Sequence, residues 1–384
     1  MLGEDTVNKK LIICVLPFIV CLQLCTKRPE EPTHLVEFIK GVKVVKNLKT
    51  ELDKAFKDLE FIEDLSIGVE EGDENFMFSY PVDVDSDSNG HIYVLDYQEC
   101  LMTKYDSKGM FMTKFGRKGQ GPGEFSNPSS MMITPQDEIY VGDYISRKIE
   151  VFGSEGAYQE TMKVEFLYDF AVTRKKDLIV GYQFYDEEGM RSYKVGRYDT
   201  QKNNIKDFYG QKTYWPARIS DNEFVYEFPY FVRWSISSDD KIYIASGVAY
   251  EISVFTAEGN LLFQFTKDSK PVPLTGKELK KISGHLTPTR GPNPFMAKPV
   301  YPVFRSISID EQGRVWIEHY QPGWREETRK EAFYDVFSYD GVFLFTTRIP
   351  GHIYPQLTFK NGYVYALRKD EAGYSRAIRL KVNE

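Results

Sequence analysis

Residues Phe115–Phe125 read FGRKGQGPGEF, with four glycines and one proline in eleven positions and an aromatic at each end. Two readings compete. The stretch is either a phosphate-cradling loop or the connector between two copies of a repeated unit. A phosphate loop would run Gly-Lys-Ser/Thr into a helix. Here Gly-Pro-Gly-Glu-Phe runs into Asn127-Pro128 and then a strand-like segment. Glycines permit a sharp turn, and Pro122 and Pro128 stiffen the crossing. The stretch therefore reads as a connector, and the sequence on either side of it should repeat.

It does. IGVEEGDENFMFSYPVDV (67–84) lays over FGRKGQGPGEFSNPSSMM (115–132), each reading as strand end, polar turn, aromatic, proline and new strand. A short strand pattern then recurs six times: IYVLD (92–96), IYVGD (139–143), LIVGY (178–182), IYIAS (242–246), VWIEH (315–319) and VYALR (364–368). After five of these come an alternating segment, a turn and another apolar strand, as in MTKYD, SKG, MFMTKFG. A further strand precedes each copy, so each unit holds four short antiparallel strands, A to D. Ile92 and Val94 face one way and Tyr93 and Leu95 the other, so the sheet is apolar on both sides. A sheet wet on one side would alternate apolar with polar. Four-stranded units of about 40–50 residues covered on both faces describe an all-β, six-bladed β-propeller.

The sixth unit lacks its outer strand, because the sequence reaches Glu384 after AIRLKV. LEFIEDLSI (59–67) stands upstream where an outer strand would feed an inner one. This N-terminal strand is expected to complete the last blade, which removes the exposed sheet edge of an open array. The domain reading is a leader over 1–25, a linker over 26–58, and the propeller over 59–384 with an insertion at about 269–300.

The combination IYVLD…KYDSKGMFMTKFGRKGQGPGEFSNP resembles NHL-type repeats, and more closely the exported bacterial six-bladed β-propeller proteins that carry a GxGPGEF connector. The resemblance covers about residues 59–384 and is strongest in the first two blades. It implies the fold. It implies no single activity, since such propellers include interaction platforms, sensor domains, lactone hydrolases and lyases, and fold alone does not fix chemistry.

Composition narrows the partners. The net charge of −7 argues against nucleic acid, whose phosphates need a basic face. Lys9-Lys10 precedes LIICVLPFIVCLQL, an uncharged run of 14 residues that is short for a membrane span. The run ends at Cys25, where lipidation of a bacterial lipoprotein type is expected. Leu24 is atypical for that pattern, and ordinary cleavage or an uncleaved anchor are the alternatives. The protein is accordingly expected to be exported, in the periplasm or held on the bacterial envelope through the N-terminal lipid alone. Cys100 then remains alone and reads as a packed thiol, with no disulfide framework.

In a propeller the B–C and D–A connections share one face, here called the top. The residues ending the six B strands are expected to ring the channel there: Asp96, Asp143, Tyr182, Ser246, His319 and Arg368. For Asp96 and Asp143 the plainer reading is that each caps its own turn by accepting backbone N–H bonds. Long top-face connections cluster on blades 4 and 5 and carry Arg290 and Trp324 as contact candidates, since function concentrates in loops on rigid scaffolds. Of the five histidines only His285 and His319 could meet on top, too few for a three-histidine zinc site. Calcium held by Asp96, Asp143 and Asp169 is the remaining cofactor candidate. No Ser-His-Asp or Cys-His arrangement stands out. The expected function is a monomeric binding or scaffold module contacting a protein or small polar ligand through its top face. The alternative is a metal-dependent hydrolase or lyase acting on a small ester, lactone or sugar at the channel mouth.

Overall fold

A computed structural model of the chain describes residues 33–48, 55–165, 167–185, 191–199, 204–212, 217–220, 223–225, 232–245, 249–269, 276, 303–319 and 330–383. All its strands lie in one compact unit, Thr33–Glu384. An N-terminal hairpin, β1 (His34–Ile39) and β2 (Val42–Asn47), is followed by β3 (Glu60–Ile67). Blade 1 is β4–β7 (Pro81–Ser86, Ile92–Asp96, Leu101–Tyr105, Phe111–Phe115). Blade 2 is β8–β11 (Pro128–Ile133, Ile139–Asp143, Lys148–Phe152, Tyr158–Lys163). Blade 3 is β12–β15 (Asp169–Val172, Leu178–Tyr185, Arg191–Asp199, Asn204–Lys212). A separate hairpin, β16 (Ala217–Ser220) and β17 (Glu223–Val225), precedes blade 4, which is β18–β21 (Arg233–Ile236, Ile242–Ala245, Glu251–Phe255, Leu261–Lys267). Blade 5 is β22–β25 (Phe304–Ile309, Val315–His319, Glu331–Phe337, Phe343–Pro350). Blade 6 is β26–β28 (His352–Lys360, Tyr363–Lys369, Ser375–Asn383) completed by β3.

The six recurring sequence strands are thus the second strands of six antiparallel sheets, and the ring closes as expected. β3 pairs antiparallel with β28, from Ile67 opposite Ala377 to Glu60 opposite Asn383.

The core sits in the seams between blades. One cluster joins Tyr93, Leu95, Cys100 and Met102 of blade 1 to Met131, Ile133 and Val141 of blade 2. Ile92 and Val94 enter a different cluster, with Tyr365 and Leu367 of blade 6. This is the two-sided burial that the B strands require. A second repeated contact fastens the rim. The glycine of each described C–D turn packs on the outer strand of the preceding blade, where an added Cβ would collide. Such a Cβ would lie 2.9 Å from Leu65 at Gly109, 2.6 Å from Phe115 at Gly156, 2.5 Å from Phe208 at Gly259 and 2.7 Å from Phe265 at Gly341.

The segment read as a linker is largely built into the ring. β2 pairs parallel with β21, so blade 4 becomes a six-stranded sheet with β1 at its edge. Val45 joins the seam between blades 4 and 5. The Asn47 amide fastens that seam, donating to Thr266 O and Gly341 O (both 2.9 Å) and accepting from Phe343 N (2.8 Å). The turn explains the hairpin: Lys40 and Gly41 have φ of 50° and 84°, and positive φ at both central residues suits a two-residue hairpin loop. Further on, residues 55–57 run along β25. Lys57 N donates to Thr346 O and Thr346 N to Ala55 O, each at 2.9 Å. The N-terminal segment therefore pairs with the outer strands of blades 4 and 5 in turn and then becomes the outer strand of blade 6.

Candidate functional site

The opening loop settles its own chemistry. A phosphate cradle presents N–H groups to an anion. The 115–125 connector instead turns carbonyls onto a cation of its own chain. Lys148 Nζ donates to Glu124 O (2.8 Å), Gly121 O (3.1 Å) and Gln120 O (3.4 Å), and pairs with Glu150 at 2.5 Å. Phe125 is fully buried beneath it. The loop joins blade 1 to blade 2, and the N–H groups of Gly121 and Gly123 are taken by the Glu124 (2.9 Å) and Glu150 (3.2 Å) carboxylates of the chain itself.

Asp96 and Asp143 act as brackets. Asp96 is buried and accepts from Gln98 N and Glu99 N in its own B–C turn (both 3.0 Å) and from Ser79 N (2.8 Å) in the preceding D–A connection. Asp143 repeats this with Ser146 N (3.0 Å) and Ser126 N (2.5 Å). Each carboxylate locks two top-face loops together. Tyr182 donates to Asp207 (2.7 Å) within blade 3, and burial first, then Asp207, drives its hydroxyl well above the ordinary tyrosine range. Arg368 pairs with Glu63 of β3 at 2.6 Å, which ties the closing strand to blade 6. Asp96, Asp143, Tyr182 and Arg368 are therefore engaged within their own blades or the connection leading into them, one strand out from the inner ring formed by the A strands. Ser246, Arg290 and Trp324, together with Cys25 and His285, lie outside the described residues. Among the described residues no group of three His, Cys, Asp or Glu side chains converges as a metal site, so Asp96, Asp143 and Asp169 are not brought together for calcium.

His319 belongs to a buried charge cluster at the seam of blades 4 and 5. Its Nε2 lies 2.7 Å from Asp335 Oδ2, which also accepts from Lys267 Nζ and Tyr250 Oη (both 2.6 Å). Thr346 donates to Asp335 Oδ1 (2.7 Å). Burial works to raise the Asp335 carboxyl, but the His319 and Lys267 charges outweigh it and hold the group well below the usual carboxylate range.

The inner ring is polar, and its side chains stitch blade to blade. Asp83 and Asp85 accept from Met131 N and Ile133 N of blade 2 (both 2.8 Å). Arg233 of blade 4 donates to Arg305 O (2.7 Å), and Arg305 of blade 5 donates to Ile353 O (2.9 Å). Lys360 of blade 6 reaches Asp85 (2.9 Å) and Ile133 O (2.8 Å). Burial lifts the Asp83 carboxyl to about 8, with the Asp85 and Asp169 charges adding to it against the Met131 and Val84 N–H groups. Burial likewise lifts Asp169 to about 6, opposed by the Phe170 N–H and Arg233.

One surface feature escaped the sequence reading. Tyr97 and Tyr144 follow the capping aspartates directly and stand exposed on the top face, with Tyr80 and Tyr168 beside them. Tyr80 and Tyr97 meet edge to face at 5.8 Å, and Tyr144 and Tyr168 at 6.0 Å. Asn127 Nδ2 donates to the Tyr97 hydroxyl (2.6 Å), and exposed Ile145 adjoins Tyr144 in sequence. The signal was present, because the repeat is IYVLDY and IYVGDY, tyrosine included.

The comparisons speak to the fold. No curated protein matches the chain in sequence. A protein of Bacteroides fragilis NCTC 9343 inferred to be exported superposes with a TM-score of 0.52 at 10% identity, over 89% of this chain and 99% of that one. A member of the duf4221 family from Bacteroides vulgatus ATCC 8482 gives 0.50 at 10% identity, over 85% and 99%. The virginiamycin B lyase of Staphylococcus aureus gives 0.46 at 10% identity, over 83% and 99%. Likeness at such identity extends to architecture alone. No helix among the described residues is long and apolar enough to cross a membrane. The model of the 6-bladed beta-propeller family matches residues 41–267, more than half of the chain, and the chain belongs to that family.

Proposed function

We propose that the protein is a binding module of the bacterial envelope, exported by its N-terminal leader, that takes a protein or small polar ligand on its top face. The observation that carries this is the exposed row Tyr80, Tyr97, Tyr144 and Tyr168 across blades 1 to 3. Tyrosine offers a large, stiff contact surface with a polar tip, which suits recognition at low entropic cost. Asp96 and Asp143 hold the loops that carry Tyr97 and Tyr144, so the surface is preorganised. The test is to screen residues 26–384 against immobilised glycan and peptide panels, then repeat any binding with Tyr97→Ala/Tyr144→Ala. Binding that falls at least about tenfold in a variant of unchanged melting temperature is expected. Undiminished binding by the double variant contradicts the reading.

A second reading is an enzyme, a metal-dependent hydrolase or lyase on a small ester, lactone or sugar. The raised carboxyls of Asp83 and Asp169 in the inner ring favour it, because a carboxyl that titrates near neutrality suits proton transfer. Elemental analysis for a divalent ion, with a turnover screen on lactones and esters, separates the two. A metal-free protein inactive across that panel counts against the enzyme.

A further inference from the structure

The β1–β2 hairpin exposes more apolar surface than its packing explains. Blade 4 already has its four strands in β18–β21, and β2 satisfies the inward needs of the hairpin by burying Val44 and Val45. β1 then presents Leu35, Val36, Phe38 and Ile39 at 42%, 49%, 74% and 46% exposure, and no large apolar residue described elsewhere in the chain is as exposed as Phe38. The parallel register sets Lys43 beside Phe263, so exposed Leu261 and Leu262 at the start of β21 flank the hairpin turn. The same hairpin is basic. Across 34–47, Lys40, Lys43 and Lys46 against Glu37 give 3 − 1 = +2, in a chain whose net charge is −7. Lysines alone would read as protection of a sheet edge. Lysines flanking an exposed phenylalanine and isoleucine have instead the composition of a segment that enters the headgroup layer of an anionic membrane.

Chain geometry agrees. His34 follows Cys25 by nine positions and the apolar run 11–24 by ten. Nine extended residues span about 30 Å at most, so a chain held at the membrane by its leader keeps the hairpin within reach of that surface. β2 runs parallel to β21, which starts from the C–D turn of blade 4, so the Lys40–Gly41 turn lies at the C–D end of that sheet. The tyrosine row sits on the opposite, B–C side.

We propose that the tip of this hairpin, Phe38–Lys43 together with Leu261 and Leu262, is a membrane-docking surface for anionic lipid headgroups. It orients the tethered propeller with its top face away from the bilayer. This inference does not rest on the top-face reading, because the two use different residues and different assays.

The test is flotation of residues 26–384, which include the whole compact unit and lack the leader's apolar run, with vesicles of phosphatidylethanolamine and phosphatidylglycerol at 3:1. Phosphatidylcholine vesicles are the comparison. Association with the anionic vesicles is expected, weakened by salt and by phosphatidylcholine. Phe38→Ser/Ile39→Ser should lower the partition coefficient at least about tenfold, and Lys40→Glu/Lys43→Glu should remove the salt-sensitive part. Phe38→Trp should shift its fluorescence to the blue on anionic vesicles only, a readout that does not depend on a loss. No association, or equal association by both double variants, overturns the proposal. So does a concentration-dependent dimer abolished by Phe38→Ser, which would place a second copy of the chain on β1 instead.

Discussion

The carboxyl of Asp83 is buried against the innermost strand of blade 2, and the Asp85 and Asp169 charges add to the effect of that burial. A carboxyl raised to about 8 from an unfolded value near about 4 binds its proton more tightly when folded. Its contribution to stability is therefore complete below about pH 4 and is lost as pH rises through about 8. Following its side-chain carbon resonance should give a midpoint near 8, shifted down when Asp169→Asn removes one of the two neighbouring charges. A midpoint near about 4 would show that the two backbone N–H bonds offset burial in full. At this scale the sequence was partly legible. The capping role of Asp96 and Asp143 follows from an aspartate at the end of a strand before a turn, and the structure shows it. The tyrosines were missed because the repeat was cut at the aspartate. Asp83 and Asp85 were missed for a physical reason: PVDVDS reads as an ordinary alternating strand, and only adjacency in space reveals that both carboxylates meet the next blade's backbone.

Strand by strand, the two-sided apolar pattern identified all six B strands, because burial on both faces leaves a mark in sequence that a half-wet sheet does not. The β1–β2 hairpin carries strand-like runs too, HLVEFI and VKVVKN about Lys-Gly, but the repeat has no vacant place for it, so the segment reads as a linker. Contacts between the C–D turns and the preceding outer strands were not legible, since a glycine in a turn looks the same whether it faces solvent or a phenyl ring. Gly341 and Gly362 separate the two cases. Both have positive φ, 89° and 75°, but a Cβ at Gly341 would meet Phe265 at 2.7 Å while one at Gly362 meets nothing within 4 Å. Gly362→Ala should cost only the backbone penalty of about 1–2 kcal/mol. Gly341→Ala should add an overpacking cost of about 1–3 kcal/mol, read by urea denaturation. Equal losses would mean that the rim contact does not hold the seam.

At the largest scale, residues 33–384 form a ring whose N-terminal segment pairs with the outer strands of blades 4 and 5 and supplies the outer strand of blade 6. Ring closure by 59–67 was legible because the sixth unit is one strand short. The reinforcement of blade 4 was not, since nothing in a complete four-strand unit calls for two more. Residues 34–47 bury Val44 and Val45, each worth about 1.5–3 kcal/mol, and deleting them also strands the backbone partners of Asn47. Removing β3 as well leaves β28 with an unpaired edge and takes Ile67 out of the seam with blade 1, uncovering Val84, Tyr105 and Ala377. The most direct measurement compares the thermal unfolding of residues 26–384, 49–384 and 69–384. The closed ring predicts that 49–384 folds but melts several degrees below the parent, and that 69–384 aggregates or shows no cooperative transition. A chain of residues 69–384 that melts together with the parent would contradict closure of the ring by its own N-terminus.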